Sequence, residues 1–575
     1  MKKKSVLVVF GEEFPKGDLS QYDAVIAGEE LKKFIEPGSI YEASNFLEEI
    51  SRLKLADGSR LTKSVVYKGY ELWWIHYDSL FLYFCLPYTQ YRKLLDYLKS
   101  FQNIYLYNPP YKALFSCYLK AHGRNMLILR KLNLKSPSFL PLGIFFQIFI
   151  TLLCLPILII KKRHLMIFIG DKFEKLRDYD FRMKFIYQEL RQRNLPFVEF
   201  IRSLESWKTV LQHVFKRKRP IIYSEAVAFV GRFMSILSGG RRRGKRKSDI
   251  YTFSLETDPE MRFKFLIATQ YFLTIYDDIW TIRIMKWILR AIGIKAAFIP
   301  AASERNFSAV LSCKLNAIPT IGILHGVASR YYNGYDFLPG FDGEKMLSVD
   351  KYGLWSEWWK EYYLKNSKAY RPKQLYVSGP MRPLEKGNGN SAPSILSKSE
   401  SIKILFVSEQ LAIPHEVIPY LETLLQQSDI KVIITFRQYR DGFKDWLTQH
   451  MPQVLRHSNI KIARDNLQTA IQSCDVAVGS HSTAVLETLL QLRIPIFFRT
   501  QKYGDYYNLK EYDKKCSFFA ENPEELIEKI KKARSVSIDT VKNLQERYFG
   551  DPYKNGSKWV VDQLEDILLR GCITK

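Results

Sequence analysis

Residues 466–498, NLQTAIQSCDVAVGSHSTAVLETLLQLRIPIFF, change period in a way that suits a parallel α/β sheet. A helical turn closes over 470–474, a buried strand covers 476–478, and Gly479, Ser480, His481 and Ser482 form a turn. A helix then runs from Thr483 to about Gln491, and a short strand comes after it. Pro495 places that strand at a sheet edge, or itself at the strand start, because proline cannot donate to the ladder. The chemistry lies in the turn. Unpaired N–H groups at the next helix start, with the hydroxyls of Ser482 and Thr483, make an anion site suited to phosphate. Glu487, one turn below, is placed to accept hydrogen bonds from ribose hydroxyls. The structural alternative is that Ser482 only caps the helix and Glu487 is a solvated charge.

A chain of 575 residues exceeds one ordinary core, so two or three domains are expected. A hydrophobic share of 47% and an aromatic share of 14% exclude a mainly disordered chain. Lys plus Arg number 86 against 59 Asp plus Glu, a net charge of +27, which implies an anionic partner: nucleic acid, acidic lipid or nucleotide phosphate. The seven cysteines are scattered without a CxxC pair, so they read as reduced thiols facing the cytosol, with no zinc site. The start, MKKKSVLVVFGEEF, has too short an apolar run for a signal peptide and reads as a first strand.

Strands over 5–10 and 22–27, with helices over 31–35 and 43–53, make a small N-terminal α/β unit. From Tyr67 the chain is crowded with aromatics. Trp73, Trp74, Tyr77, Phe81, Tyr83 and Phe84 suit a core or an interfacial belt beside a bilayer, and the chargeless run at 139–160 favours the belt. That run, FLPLGIFFQIFITLLCLPILII, is closed by Lys161, Lys162, Arg163 and His164. Its length suits a membrane span with a cytosolic basic flank. Pro141 and Pro156 favour a broken or re-entrant helix that keeps both flanks on one side; a buried core helix is the alternative. The basic stretches over 216–219 (KRKR) and 241–247 (RRRGKRK) read as loops gripping anionic headgroups, with no RNA or DNA module around them.

A second βαβ pattern begins with a strand over 165–170, a helix over 179–193 and a strand over 197–201. Further on, a strand over 296–300, a helix over 303–316 capped by Ser303, and a strand over 320–324 lead to His325-Gly326. Ligands of open α/β sheets collect beyond the carboxyl ends of strands, which is where His325 and Glu304 fall. A histidine there suits a general base, and a satisfied loop histidine is the bland alternative. A helix is expected over 351–364 and a strand over 375–378, and residues 385–401 read as a polar linker. Beyond it, a strand over 402–407, a helix over 417–426 and a strand over 431–436 lead into Arg437, whose guanidinium would face the same anion as the turn at 480–483. A final helix over 558–569 takes Ser557 as its cap.

IPTIGILHG (318–326), VAVGSHSTAVLETLLQLRIPIFF (476–498) and DPYKNGSKWVVDQL (551–564), in that order, resemble motifs of the GT-B glycosyltransferases. More narrowly they are similar to surface-polysaccharide enzymes related to the CDP-glycerol glycerophosphotransferase, capsule Kdo-transferase and polysialyltransferase group. The resemblance covers roughly residues 165–570. It implies two Rossmann-like domains with an extra N-terminal α/β unit and a hydrophobic membrane-associated segment. The divisions are 1–138, 139–163, 164–384 (acceptor side), the linker 385–401, and 402–575 (donor side). It also implies a catalytic role for His325, with Glu304 beside it, and nucleotide or phosphate contacts from Arg437, Ser480, Ser482, Thr483 and Glu487. Such folds commonly use no metal or other cofactor, and the lone Asp178-Tyr179-Asp180 triplet is discounted as a metal motif. Where the family has His-Pro this chain has Arg437-Gln438, so the donor nucleotide stays open.

The function so implied is a glycosyltransferase at the cytoplasmic face of the cell membrane. Its partners would be a nucleotide-sugar donor, a lipid-linked or growing polysaccharide acceptor and an anionic membrane surface, without nucleic acid. Transfer of an alditol phosphate from a CDP-alcohol, a nucleotide-sugar 2-epimerase, and a non-catalytic membrane-bound scaffold stand as alternatives.

Overall fold

The computed structural model describes residues 4–55, 57–129, 140–170, 183–217, 219–253, 258–300, 306–326, 329–332, 334–384, 401–409, 413–436, 441–463, 467–512 and 517–573. Its strands form three parallel sheets in succession along the chain. β1 (Ser5–Val9) and β2 (Ala24–Ile26) pair first, and β3 (Val66–Tyr67) with β4 (Tyr70–Glu71) make a separate antiparallel hairpin. β5 (Asn103–Tyr107) and β6 (Asn125–Leu129) then complete the first sheet in the order β2-β1-β5-β6.

The middle sheet takes β7 (Leu165–Gly170), β8 (Phe197–Arg202), β9 (Ile221–Tyr223), β10 (Ala296–Phe298), β11 (Thr320–Ile323), β12 (Lys351–Leu354) and β13 (Leu375–Val377), in the order β13-β12-β11-β10-β7-β8-β9. The third takes β14 (Ile402–Val407), β15 (Ile430–Thr435), β16 (Ile460–Ile462), β17 (Val476–Gly479), β18 (Ile494–Phe498) and β19 (Phe519–Ala520), in the order β16-β15-β14-β17-β18-β19. In both, the first strand lies inside the sheet, the next two run out to one edge, and the chain returns to the other side. That is the doubly wound Rossmann order, with a crevice where the direction reverses: between β7 and β10, and between β14 and β17. The protein therefore holds the two Rossmann-like sheets of a GT-B-type architecture, plus an N-terminal α/β unit.

Parallel sheets need both faces covered, and period two sorts the side chains of β7 accordingly. Leu165, Ile167 and Ile169 face a cluster containing Tyr187 and Leu190, while Met166 and Phe168 face the larger core shared with residues 263–294. The closing helix is Gly556–Ile573, and its residues Val560, Val561 and Leu564 lie in that same first cluster with Ile321 and Ile323. Arg193 binds it at Asp562 (2.7 Å) and Glu565 (2.8 Å). The end of the chain thus packs on the middle sheet, although its sequence position groups it with the third.

Several local expectations change. The aromatic stretch is core and not an interfacial belt. Trp73, Trp74, Tyr77, Phe81 and Phe84 are buried, and only Tyr83 is exposed. Trp74 meets Phe341 edge-on at 5.1 Å, and Phe81 meets Tyr332, so these rings join the N-terminal unit to the middle domain. Their polar neighbours are paired, Trp74 Nε1 with Glu71 and His76 with Asp278 at 2.9 Å. The apolar segment is one continuous helix, Leu140–Lys161, with Pro156 inside it, and not a broken or re-entrant one. Among the described residues it is the one helix long and apolar enough to cross a membrane. The second basic stretch is not a loop, since residues 241–247 lie in the helix Gly240–Phe253; of the first, Lys216 and Arg217 end the helix Trp207–Arg217, and Arg217 and Arg219 pair with Glu199.

Residues 351–364 divide into β12 and the helix Glu357–Asn366, because Tyr352 and Leu354 are needed in the sheet. Pro495 sits near the start of β18, an inner strand and not an edge. Asn555, not Ser557, caps the last helix through Lys558 N at 3.0 Å, and the Ser557 hydroxyl donates to Met381 O. The expected linker falls almost wholly on residues outside those described.

Candidate functional site

The crevice of the third sheet lies beyond the carboxyl ends of β14 and β17, where Ser408-Glu409 and Ser480-His481-Ser482 emerge. Both strands are short, buried aliphatic runs, so the first polar residues after them stand at the sheet's rim. The Glu409 carboxylate lies in the concavity of the 480–482 turn. One oxygen accepts the backbone N–H groups of Ser480, His481 and Ser482, each at 2.9 Å. The other accepts from the Ser480 hydroxyl and from His481 Nδ1 at 2.7 Å. Burial alone would raise this acid; the adjacent His481 ring and the converging donors overcome it and hold the carboxyl down at about 2. The N–H groups of the turn thus converge on one carboxylate, and it is the protein's own.

The structure brings four of the expected site residues into one place. Ser480 is buried and committed to Glu409. Ser482 caps the helix Thr483–Leu486 by accepting Ala484 N at 3.3 Å, and a turn of 3-10 helix, Glu487–Gln491, continues it. Thr483 faces the middle domain: a methyl group placed on Gly326 would stand 3.6 Å from the Thr483 hydroxyl. His325-Gly326, beyond the end of β11, therefore meets the third sheet's turn across the interdomain cleft. Glu487 is buried and paired with Arg382, which excludes a solvated charge. Burial raises its pKa and Arg382 opposes the rise. Glu304, Arg437 and the 178–180 triplet lie outside the described residues.

Tyrosines pack around the turn. The His481 ring stacks on Tyr503 at 3.6 Å, and Tyr507 donates to His481 O at 3.0 Å. Tyr332, a few residues after His325, meets Tyr503 edge-on at 5.8 Å. The N-terminal unit reaches in as well, its Tyr41 packing on Tyr331 at 4.4 Å and donating to Asp505 O at 3.1 Å. Glu409, Arg382 and Tyr41 were not singled out from the sequence. A glutamate directly after the first strand of a Rossmann unit was the available signal for Glu409, since that strand end borders the crevice. Among the described residues no group of three or more His, Cys, Asp or Glu side chains is arranged to hold a metal.

No family model and no curated protein matches the chain. Among solved structures, a glycosyltransferase from Rickettsia africae is 13% identical over 70% of this chain and 98% of its own, with a TM-score of 0.39. A UDP-GlcNAc 2-epimerase from Neisseria meningitidis bound to UDP-GlcNAc is 10% identical over 71% of this chain and 100% of its own, with a TM-score of 0.41. Superpositions this loose say nothing about substrate, and the fold rests on the strand orders above.

Proposed function

We propose that this protein is a membrane-associated glycosyltransferase that moves a sugar from a nucleotide-activated donor to a lipid-linked or growing polysaccharide acceptor. The observation that carries the reading is the approach of His325-Gly326 to Thr483, which sets a candidate base opposite a phosphate-type turn across one cleft. The nucleotide's phosphates lie at Ser482, Thr483 and Arg437, and its ribose at Glu487. An acceptor hydroxyl attacks the anomeric carbon, the bond from that carbon to the phosphate oxygen breaks, and the electron pair leaves with the nucleotide. His325, with Glu304 in support, takes the hydroxyl proton, and attack opposite the leaving group inverts the centre. Arg437 and the Thr483 hydroxyl stabilise the departing charge without a metal.

Calorimetry with CMP, CDP, UDP, GDP and dTDP tests the donor site. Selective binding of one nucleotide, weakened in Glu487→Ala, is the expected result, and His325→Ala should keep that affinity while losing turnover. Turnover intact in His325→Ala removes it from the mechanism. Product mass separates sugar transfer from alditol-phosphate transfer, and product formed without any acceptor would indicate an epimerase. The occupied nest favours one other reading, a scaffold whose donor site is closed by Glu409. Folded protein that binds none of the five nucleotides would put that reading first.

A further inference from the structure

We infer that the middle domain carries a docking face for an anionic phospholipid bilayer, made of two helices lying in the membrane plane and a basic helix after them. The inference deepens the membrane association proposed above and rests on it. The helix Leu140–Lys161 exposes Phe145, Phe149, Leu152, Leu153, Ile157 and Ile160, the last 80% open to solvent. At 3.6 residues per turn these fall on one side. The helix Ser224–Leu237 exposes Phe229, Phe233, Ile236 and Leu237 in the same way. The two stripes join, because the rings of Phe145 and Phe229 meet edge-on at 5.8 Å while both remain exposed.

The opposite face of the first helix is tied to the protein. β9 is the last strand of the middle sheet, and its outward N–H groups need partners. The Thr151 hydroxyl accepts Tyr223 N at 3.1 Å. Gln147 donates to Ser203 O at 3.1 Å. Tilting this helix across a bilayer would strip those bonds from the sheet edge, so its apolar length is read as lying flat. The second helix is anchored too. Gly231 lets its backbone pack on the helix Ile275–Ile292, where any side chain at 231 would come within 2.7 Å of Thr281 N.

Charge selects the occupant. The helix Gly240–Phe253 comes directly after and exposes Arg242, Lys245 and Arg246, while Lys161 and Lys162 are exposed at the end of the first helix. Apolar stripes flanked by cations suit an anionic lipid surface, and a second copy of the chain would bring the same charge and be repelled. The helix Ser224–Leu237 starts directly after β9, so Phe229 and Phe145 stand toward the strand-end side of the sheet, the side of His325. An acceptor anchored in the lipid would enter the cleft from there.

Flotation of the full chain with vesicles of phosphatidylcholine, and of phosphatidylcholine mixed with phosphatidylglycerol, tests the face. Phe149→Glu with Phe233→Glu, and separately Arg242→Glu with Arg246→Glu, alter exposed positions; an unchanged thermal midpoint and nucleotide affinity verify their fold. The wild type should float with the mixed vesicles, and each pair of substitutions should lower that binding about tenfold or more. If the wild type floats and both variants float equally, this face is wrong while membrane association stands. If the wild type floats with neither vesicle, membrane association itself fails, whatever the nucleotide results. Variants that dissociate an oligomer without changing flotation would make the face a protein interface and overturn the inference.

Discussion

Two buried acids show how differently the same group behaves in two parts of this molecule. Glu409, in the crevice of the third sheet, is 6% exposed, and Asp336, beneath the middle domain, is 1% exposed. Burial raises both. At Asp336 the only opposition is three tyrosine hydroxyls, from Tyr352 (3.3 Å), Tyr363 (3.0 Å) and Tyr370 (3.2 Å), and the carboxyl settles at about 6. At Glu409 the His481 ring and the backbone N–H groups reverse the effect, and the carboxyl is held at about 2. Neutral phenols satisfy a buried acid, whereas a nest beside a ring that can carry positive charge demands an anion. Asp336 is therefore held as a buried acid among phenols, and Glu409 as a buried carboxylate among donors.

The largest expected effect comes from emptying the nest. Glu409→Ala leaves its donors and the half-buried His481 without their anion, and denaturant titration should show a loss of about 3–5 kcal/mol. Millimolar inorganic phosphate should restore more stability to this variant than to the wild type. Equal responses would mean that the nest does not accept an external anion.

Asp336→Asn should come next, read through pH. The usual value is 3.8 and the folded value about 6, so the folded protein binds the extra proton between them. The stability tied to Asp336 is thus full below pH 3.8 and lost as pH rises through about 6, a change of about 3 kcal/mol. Glu409 runs the other way: its contribution is full above 4.5 and lost as pH falls through about 2. The stability difference between Asp336→Asn and wild type should therefore swing in favour of the variant across that first window. A difference independent of pH would show that Asp336 is charged or neutral throughout.

Much of this was legible in the sequence, and what was not shares one cause. Buried aliphatic runs located β7, β11, β14 and β17, and Gly479 to Ser482 located the turn after β17, because these are local patterns. Strand order is not local, so nothing in the text placed β14 beside β17. Glu409 lies 71 residues from the Ser480 it binds, and Arg382 lies 105 from Glu487. Hydropathy alone also cannot tell a core from an interface. The Trp73–Phe84 rings and the 140–161 run are similarly apolar, yet the first group is buried inside the protein, with Trp74 and His76 paired to Glu71 and Asp278. The chargeless run instead covers a sheet edge with one side and exposes the other.

Arg382→Ala tests whether the third-sheet site depends on its cations. The arginine is 33% exposed, so screening reduces its worth, and a loss of about 1–2 kcal/mol is expected. Without it burial acts on Glu487 unopposed, and the acid should shift toward the neutral behaviour of Asp336. Nucleotide affinity would then strengthen as pH rises, provided the ionised carboxylate is what holds the ribose. An affinity that is weaker but flat with pH would show that Arg382 touches the ligand itself.

The smallest effect separates a capping hydroxyl from a ligand. Ser482 accepts Ala484 N at the start of its helix, and removing such a cap costs about 1 kcal/mol. If its hydroxyl also meets phosphate, Ser482→Ala loses nucleotide affinity, and Ser482→Thr, which keeps a capping oxygen, recovers stability and affinity together. If it only caps, both variants bind alike once temperature is set well below their midpoints. Phosphate contact at this turn then falls to Thr483, because Glu409 already holds the backbone N–H groups of residues 480–482.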